Sequence, residues 1–422
     1  MNLPVEKVTA WIEERREEMV DLLGRLVAEP TENPPGNGLG RCARLLEQEM
    51  ARLGLAPELI EITGPHALED PHVVRGTAGH GERTLYFHGH YDVVPVQNRS
   101  QFTMRREDGR LVGRGTADMK GGIVSILYGA AAAQELGLLG EGKIVIHLVC
   151  DEETGSAVGS GHLREHGLID SSAVAMLTAE QSGSAIWNAA RGALSLRVDV
   201  EGREAHVGQA ALGVNAFAHL VQVAQPLLAY AEEMAGRHTA YPQSEQDPPG
   251  TQVLVGGQCG AGANFNVVPA QAFLTVDSRI NPEEDVDAEL ARMTDLVDET
   301  AARNGATVTT QVLQHTPPAR TPADHPAAAT LARCLEAVRG TPARFELCAG
   351  NLDTRWYDQL GIPSFGLGAG RLDVSHGPHE WVEEDEVLRI ATVYAGSDSL
   401  SWPHHDGLGW PHLVGVSGGV TV

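Results

Sequence analysis

Acidic and histidine residues suited to holding divalent cations are scattered along this chain, each in its own tight loop. They are His90 and Asp92 in His-Tyr-Asp, Asp118 in Gly-Arg-Gly-Thr-Ala-Asp-Met-Lys-Gly-Gly (113–122), the run Asp151-Glu152-Glu153, Glu180, and His376 in Ser-His-Gly-Pro-His-Glu (375–380). Together they offer five hard or borderline ligands, one free carboxylate, and one carboxylate able to orient a ligating imidazole. Such a set suits hydrolysis at a pair of cations, with a carboxylate moving the proton of the attacking water.

The elements around these residues would present them at strand ends. His90 and Asp92 follow Thr84–His88, a nearly continuous apolar run that reads as a strand buried on both faces. They therefore sit at the C-terminal edge of a sheet, where open α/β folds bind ligands. In an H-x-D pair on extended backbone both side chains lie on one side. Asp92 could then hold the second ring nitrogen of a ligating His90, although a turn histidine beside a turn aspartate has the same sequence. His88 reads as structural. Asp118 lies in a glycine-rich turn that opens a helix predicted over Gly121–Glu135. A carboxylate there can bridge two cations ~3.5–4 Å apart. The turn lacks both the dinucleotide spacing and the Lys-Ser/Thr ending of a phosphate loop, which weakens a nucleotide reading. Lys120 reads as structural.

Asp151, Glu152 and Glu153 follow a second buried run, Lys143–Val149. Three adjacent carboxylates at a strand end repel one another unless a cation compensates. One glutamate can then ligate while its neighbour stays free as a base. Glu180 follows a third apolar run, Ala173–Leu177, and His376 precedes a helix starting near Glu383. Each alone would read as an ordinary loop residue. Their value is collective, because the carboxylates need imidazole partners to suit a borderline cation such as zinc.

The wider pattern is α/β. Helical spacing spans 5–28, Glu29–Gly36 ends it abruptly, and a second helix is predicted around 39–54. Alternating strands and helices imply a largely parallel sheet. The pattern then changes to strand Ala193–Val200, helix Asn215–Met234, strands Thr251–Gln258 and Gln271–Ile280, helix Asp285–Asn304 and strand Ala306–Leu313. That β-α-β-β-α-β order is ferredoxin-like. The predicted division is a discontinuous catalytic domain (1–184 and 317–396), an inserted domain (185–316), and a Gly-, Trp-, Pro- and His-rich tail (397–422) expected to be poorly ordered. His404, His405 and Asp406 read as part of a flexible polar tail that could bind a metal adventitiously.

A chain of 422 residues is long enough for two domains. Its formal charge of −25 argues against nucleic acid and anionic membranes as partners. Five cysteines without CxxC spacing imply reduced thiols and a cytoplasmic enzyme. The opening residues carry no apolar signal region, and no apolar run approaches the ~20 residues of a membrane span.

In their order along the chain, these stretches resemble the family of acetylornithine deacetylase, succinyl-diaminopimelate desuccinylase, aminoacylase-1 and carboxypeptidase G. The matching stretches are Gly-His-Tyr-Asp-Val-Val-Pro (89–95), the Asp118 run (113–122), Asp-Glu-Glu-Thr-Gly (151–155) and Asn-Val-Val-Pro (266–269). The resemblance covers roughly residues 10–395. It implies a zinc-peptidase-like catalytic domain with a mixed, largely parallel sheet, plus an inserted ferredoxin-like α+β lid and dimerisation domain. It further implies that His90, Asp118 and Glu180 hold one zinc, and that Asp118 bridges to a second held by Glu153 and His376. Asp92 would orient His90, and Glu152 would be the general base. Gly202-Arg203-Glu204-Ala205-His206 matches the family's Gly-Arg-x-x-His. His206 would then reach into the partner subunit's site and stabilise the developing oxyanion. Asn266, Arg279 and Arg355 would bind substrate, the arginines through a carboxylate.

Two departures stand out. The family's last motif usually ends His-x-Pro-Asn/Asp-Glu, but His379 occupies the fourth position here and offers a second imidazole; spacing to Pro378 and Glu380 favours His376. Ala349-Gly350-Asn351-Leu352 precedes Asp353 where members more often carry Gly-Gly-Thr/Ser-Asp. The expected activity is hydrolysis of an amide C–N bond in a small N-acyl amino acid or related carboxylate. The expected enzyme is a homodimer or higher oligomer with two divalent cations, zinc first and cobalt or manganese as alternatives. Di- or tripeptidase, carboxypeptidase and hydrolytic deaminase activities on the same scaffold stay open.

Overall fold

The computed structural model describes residues 4–183, 185–244 and 247–397. The expectation for the tail therefore falls outside the described residues, except that Ser397 ends the helix Glu384–Ser397. The chain divides into two compact units, one drawn from Met1–Ile186, Thr321–Arg344 and Trp356–Val422, the other from Trp187–Arg320 and Phe345–Arg355.

The first unit is built on a mixed sheet. Its strands run in the order Glu58–Glu61, His72–Gly79, Gly142–Val149, Arg83–His90, Ala175–Thr178 and Ser364–Gly366. The first two pairings are antiparallel and the remaining three are parallel. Parallel strands covered on both faces need apolar side chains on both, which explains the apolar run Leu85–Phe87 and the nearly continuous one at Ile144–Val149, interrupted by the buried His147. The helix Gly121–Glu135 has the bounds its sequence predicts. It is apolar almost all round, as a helix sealed in a core must be. Ser125 Oγ donates to the carbonyl of Val387 at 2.8 Å, which ties it to the helix Glu384–Ser397.

The helix read over 5–28 is two helices, Val5–Glu13 and Arg16–Ala28. Arg15 explains the break. Its guanidinium lies 3.7 Å from the centre of the Trp11 ring and Nη1 donates to the Trp11 carbonyl at 3.1 Å. A continuing helix would give that carbonyl to the Arg15 N–H, which instead bonds the carbonyl of Ile12 at 3.0 Å.

The second unit contains a four-stranded antiparallel sheet in the order Gln252–Ala261, Gln271–Ile280, Gly192–Glu201, Thr307–Thr316. Alternate residues of two central strands (Leu194, Leu196, Val198, Val200; Ala272, Leu274, Val276) form one core with the helices Ala216–Ala235 and Val286–Asn304. Both helices start on capped turns. Asn215 accepts from Ala218 N–H, and Asp285 from Asp287 and Ala288 N–H; such a cap is worth about 1 kcal/mol. The strand order is that of a ferredoxin-like α+β module.

One segment departs from the predicted division. Phe345–Arg355, expected within 317–396 of the catalytic domain, belongs to the second unit. Cys348 and Leu352 bury against Trp187 and Ala190, and Leu347 N–H donates to the Pro242 carbonyl at 2.6 Å. No pattern in the sequence marks such a return.

Gly122 lets the helix Gly121–Glu135 approach the segment after Ala175–Thr178. A Cβ there would stand 2.1 Å from the carbonyl oxygen of Ala179. Gly122→Ala should therefore destabilise the protein by about 1–3 kcal/mol, as other overpacked cores do. A denaturant midpoint unchanged from wild type would contradict this close approach.

Candidate metal centre

Five segments of the first unit bring two ligand groups together. His90 is the last residue of the strand Arg83–His90, and Glu180 lies two residues beyond Ala175–Thr178. Asp118 sits in the short turn Thr116–Lys120, where its φ of −128° and ψ of 94° break the helical path. Donor atoms of His90, Asp118 and Glu180 all lie within 4.8 Å of one another, and so do those of Asp118, Glu153 and His376. The two groups share Asp118, whose oxygens face opposite ways. Oδ1 is 3.0 Å from His90 Nε2 and Oδ2 is 2.9 Å from His376 Nε2. His90 Nε2 is also 3.7 Å from Glu180 Oε1, and His376 Nε2 is 3.4 Å from Glu153 Oε2. Of the two candidate histidines near the C-terminus, His376 is the one in this constellation; His379 is exposed beside a cavity lined also by Gln97, Asn98 and Arg105.

Electrostatics mark the cluster as a place for positive charge. Burial alone would push the Asp118 carboxyl upward, but hydrogen bonds from His376 and His90 outweigh it and hold it below the usual carboxylate range. Burial and the charge of Asp118 raise the Glu153 carboxyl. Burial disfavours a charged His90, yet Asp118 and Asp92 together raise its pKa well above the usual value. Asp118 and then Glu153 raise His376 to about 10. Two imidazoles and three carboxylates form an N/O donor set that fits a pair of borderline divalent cations of the zinc type. Bound cations would replace the protons that the imidazoles otherwise need.

Asp92 works behind the ligands. It is fully buried, and its Oδ1 is 3.3 Å from His90 Nδ1. The same carboxylate accepts the backbone N–H groups of Glu152 and Glu153, both at 3.2 Å, and the side-chain amide of Asn33 at 3.0 Å. One residue thus sets both the imidazole and the turn Glu152–Thr154. Lys120 is structural, as read: its Nζ donates to the carbonyls of Leu26 and Glu29. His88 is buried against Tyr357, 3.3 Å from its hydroxyl.

Two supporting groups escaped the sequence reading. Gln181 Nε2 donates to Asp118 Oδ2 at 3.0 Å. Glu380 accepts from the N–H groups of Ala117 and Asp118 and pairs with a buried Arg114. Adjacency to Glu180 and to the His376 motif was the only available signal.

The remaining expected site residues belong to the second unit. His206 is exposed, and its Nδ1 accepts from Gly208 N–H at 3.1 Å. Val207 N–H donates to the Asn266 carbonyl at 3.0 Å, so His206 and Asn266 sit on adjoining backbone. Arg279 Nη1 is 3.1 Å from Asp277 Oδ1. Arg355 is buried, with Nη1 bonded to Asn351 Oδ1 at 3.2 Å and 3.3 Å from Asp353 Oδ1.

Fold and donor set define a metal-dependent hydrolase of C–N bonds. Residues 86–397 match Peptidase family M20/M25/M40, and the protein belongs to that family. It is 22% identical to N-formyl-4-amino-5-aminomethyl-2-methylpyrimidine deformylase of Halalkalibacterium halodurans, over 91% of this chain and 94% of that protein. It is 28% identical to succinyl-diaminopimelate desuccinylase of Burkholderia vietnamiensis, over 61% of this chain and 68% of that one. Among solved structures, an M20 family metallo-carboxypeptidase from Sulfolobus solfataricus superposes with a TM-score of 0.74 at 18% identity, covering 91% of this chain and 99% of the other. A dinuclear metal-binding M20 peptidase from Bacillus subtilis does so with a TM-score of 0.68 at 14% identity, covering 92% and 99%. No helix among the described residues is long and apolar enough to cross a membrane.

The His376 pairing has a pH signature in chelator-treated protein. A histidine raised from 6.5 to about 10 in the folded state contributes stability in full below the lower value and loses it as pH rises through the upper one. Melting temperature should therefore decline across that window, and His376→Ala should flatten the decline. Parallel wild-type and variant curves would contradict the pairing.

Proposed function

We propose that this protein hydrolyses the amide bond of a small N-acylated amino acid or related carboxylate at a pair of divalent cations, with zinc as the first candidate. One observation carries this reading: two donor groups, each with one imidazole, share a single carboxylate. His90 and Glu180 would hold one cation, Glu153 and His376 the other, and Asp118 both. When bound, such a pair polarises the scissile carbonyl and lowers the pKa of a water beside it from 15.7 towards ~7.

Glu152 is proposed as the general base. It follows the strand Gly142–Val149, and its backbone N–H donates to Asp92. It would take a proton from the attacking water and pass it to the leaving amine, a role typically worth ~10²–10⁴ in rate. His206 is proposed to donate to the carbonyl oxygen as negative charge develops there, in the partner's site of a homodimer. Asn266, Arg279 and Arg355 are proposed to hold the substrate, the arginines through its carboxylate. For Arg355 this requires exchanging its bonds to Asn351 and Asp353 for the ligand. The deformylase and desuccinylase named above remove acyl groups, and that supports deacylation over peptide cleavage.

Glu152→Gln should keep the cation content of the wild type and lose turnover by at least ~10²-fold; near-normal turnover would remove the base assignment. A panel of N-formyl, N-acetyl and N-succinyl amino acids, set beside di- and tripeptides, should give its highest kcat/KM with an acyl amino acid and lose activity in chelator. Preference for peptides would move the reading to a peptidase, and release of ammonia to a deaminase.

A further inference from the structure

Arg114 and Glu380 form a deeply buried ion pair near the ligand cluster. Each is 1% exposed, and Arg114 Nη1 is 2.5 Å from Glu380 Oε2. A lone buried pair of this kind is a poor source of stability, because desolvation offsets the attraction. What distinguishes this one is where its other bonds go.

The second oxygen, Glu380 Oε1, accepts the backbone N–H of Ala117 at 3.0 Å and of Asp118 at 3.1 Å. These two donors define the path of the turn that carries the shared carboxylate. On the other side, Arg114 Nη2 donates to the backbone carbonyl of His376 at 3.1 Å. His376 has a φ of +63°, in the left-handed region that is uncommon for residues with a side chain. Two amides also hold this loop: Gln97 Nε2 donates to the His376 carbonyl at 3.4 Å and Gln101 Nε2 to the Gly377 carbonyl at 3.2 Å. The chain also closes on itself here, since Gly113 N–H donates to the Glu380 carbonyl at 3.0 Å.

We propose that Arg114 and Glu380 are positioning residues that lock the shared carboxylate Asp118 to the imidazole of His376, and so set the spacing of the second cation subsite. The inference rests on the two-cation reading above. Glu380 fixes Asp118 from behind through the backbone, and Arg114 fixes His376 from behind through its carbonyl. The ion pair joins the two. His90 meets Asp118 through its other oxygen, Oδ1, so the first subsite should change less than the second when the pair is cut.

The test is zinc titration of chelator-stripped full-length protein against a chromophoric competitor, read as two successive affinities. Wild type should bind two zinc ions, and His376→Ala marks which affinity belongs to the second subsite. Arg114→Met should weaken that affinity by about 10–100-fold, the usual effect of removing a group that orients ligands, and the first subsite by much less. Glu380→Gln, which keeps an acceptor for the two N–H groups but loses the charge facing Arg114, should weaken it less than Arg114→Met. Glu49→Gln serves as control, a buried carboxylate paired with Arg25 and Arg52 that touches no ligand; it should lower the melting temperature and leave both affinities unchanged. If Arg114→Met does not fold, Arg114→Lys decides, because one ammonium cannot keep both branches of the fork. Wild-type zinc affinities in the folded Arg114 variant, or equal weakening of both subsites, would overturn the positioning role. A wild type that binds fewer than two zinc ions would instead sink the two-cation reading itself.

Discussion

The constraint from which the site follows is the convergence of three carboxylates, Asp118, Glu153 and Glu180, whose side chains are almost wholly buried, with one buried imidazole, His90, and one half-exposed one, His376. Like charges at such distances repel strongly where water cannot screen them. Protonated imidazoles balance part of that charge, which is why His90 and His376 are driven upward while Glu153 resists ionisation. Divalent cations answer the same need with more charge and directed bonds. The site is thus poised between protons and metal, and its affinity for one follows from its strain towards the other.

Holding such a cluster together requires a scaffold that gains nothing from it. The mixed sheet supplies that, because its parallel strands end together and their side chains are sealed in apolar layers independent of the cluster. His90 leaves one strand, Glu153 follows the next, and Glu180 leaves a third. The remaining gap is closed by bare backbone. Gly122 admits the carbonyl of Ala179, and a Cβ on Gly368 would stand 2.2 Å from the carbonyl oxygens of both Ala179 and Glu180. The Glu180 loop is therefore wedged between two glycines, and its carboxylate has little freedom to retreat from Asp118.

Much of this was legible in the sequence because buried parallel strands and strand-end ligands both leave local signatures. The strands at Leu85 and Ile144, the helix Gly121–Glu135 and the β-α-β-β-α-β succession were readable from apolar runs and periods alone. So was the identity of the clustered residues, once their order matched a known family. What was not legible depends on distant contacts. The break at Arg15 turns on one guanidinium taking a carbonyl from the helix. The return of Phe345–Arg355 to the second unit turns on a small apolar cluster with Trp187. Glu380 looked like a spacing landmark, because nothing in its neighbourhood along the chain announces that it faces the N–H groups of Ala117 and Asp118.

The run Asp151-Glu152-Glu153 shows how environment divides labour among like side chains. Asp151 turns back: its oxygens accept the N–H groups of Val158 and Gly159 at 2.7 and 2.8 Å, just before the helix Ser160–Glu165. A carboxylate so bonded serves the fold of this turn. Glu153 turns the other way, towards His376, where burial beside Asp118 favours a cation as its neutraliser. Glu152 lies between them, partly exposed, with its backbone pinned by the same Asp92 that orients His90. That combination of fixed backbone and access to solvent supports the proposed role in proton transfer, in which the group would both meet the water and release its proton to a departing amine. The first carboxylate stabilises the turn, the third faces His376 from that turn, and the second keeps the contact with solvent on which the proposed proton transfer draws.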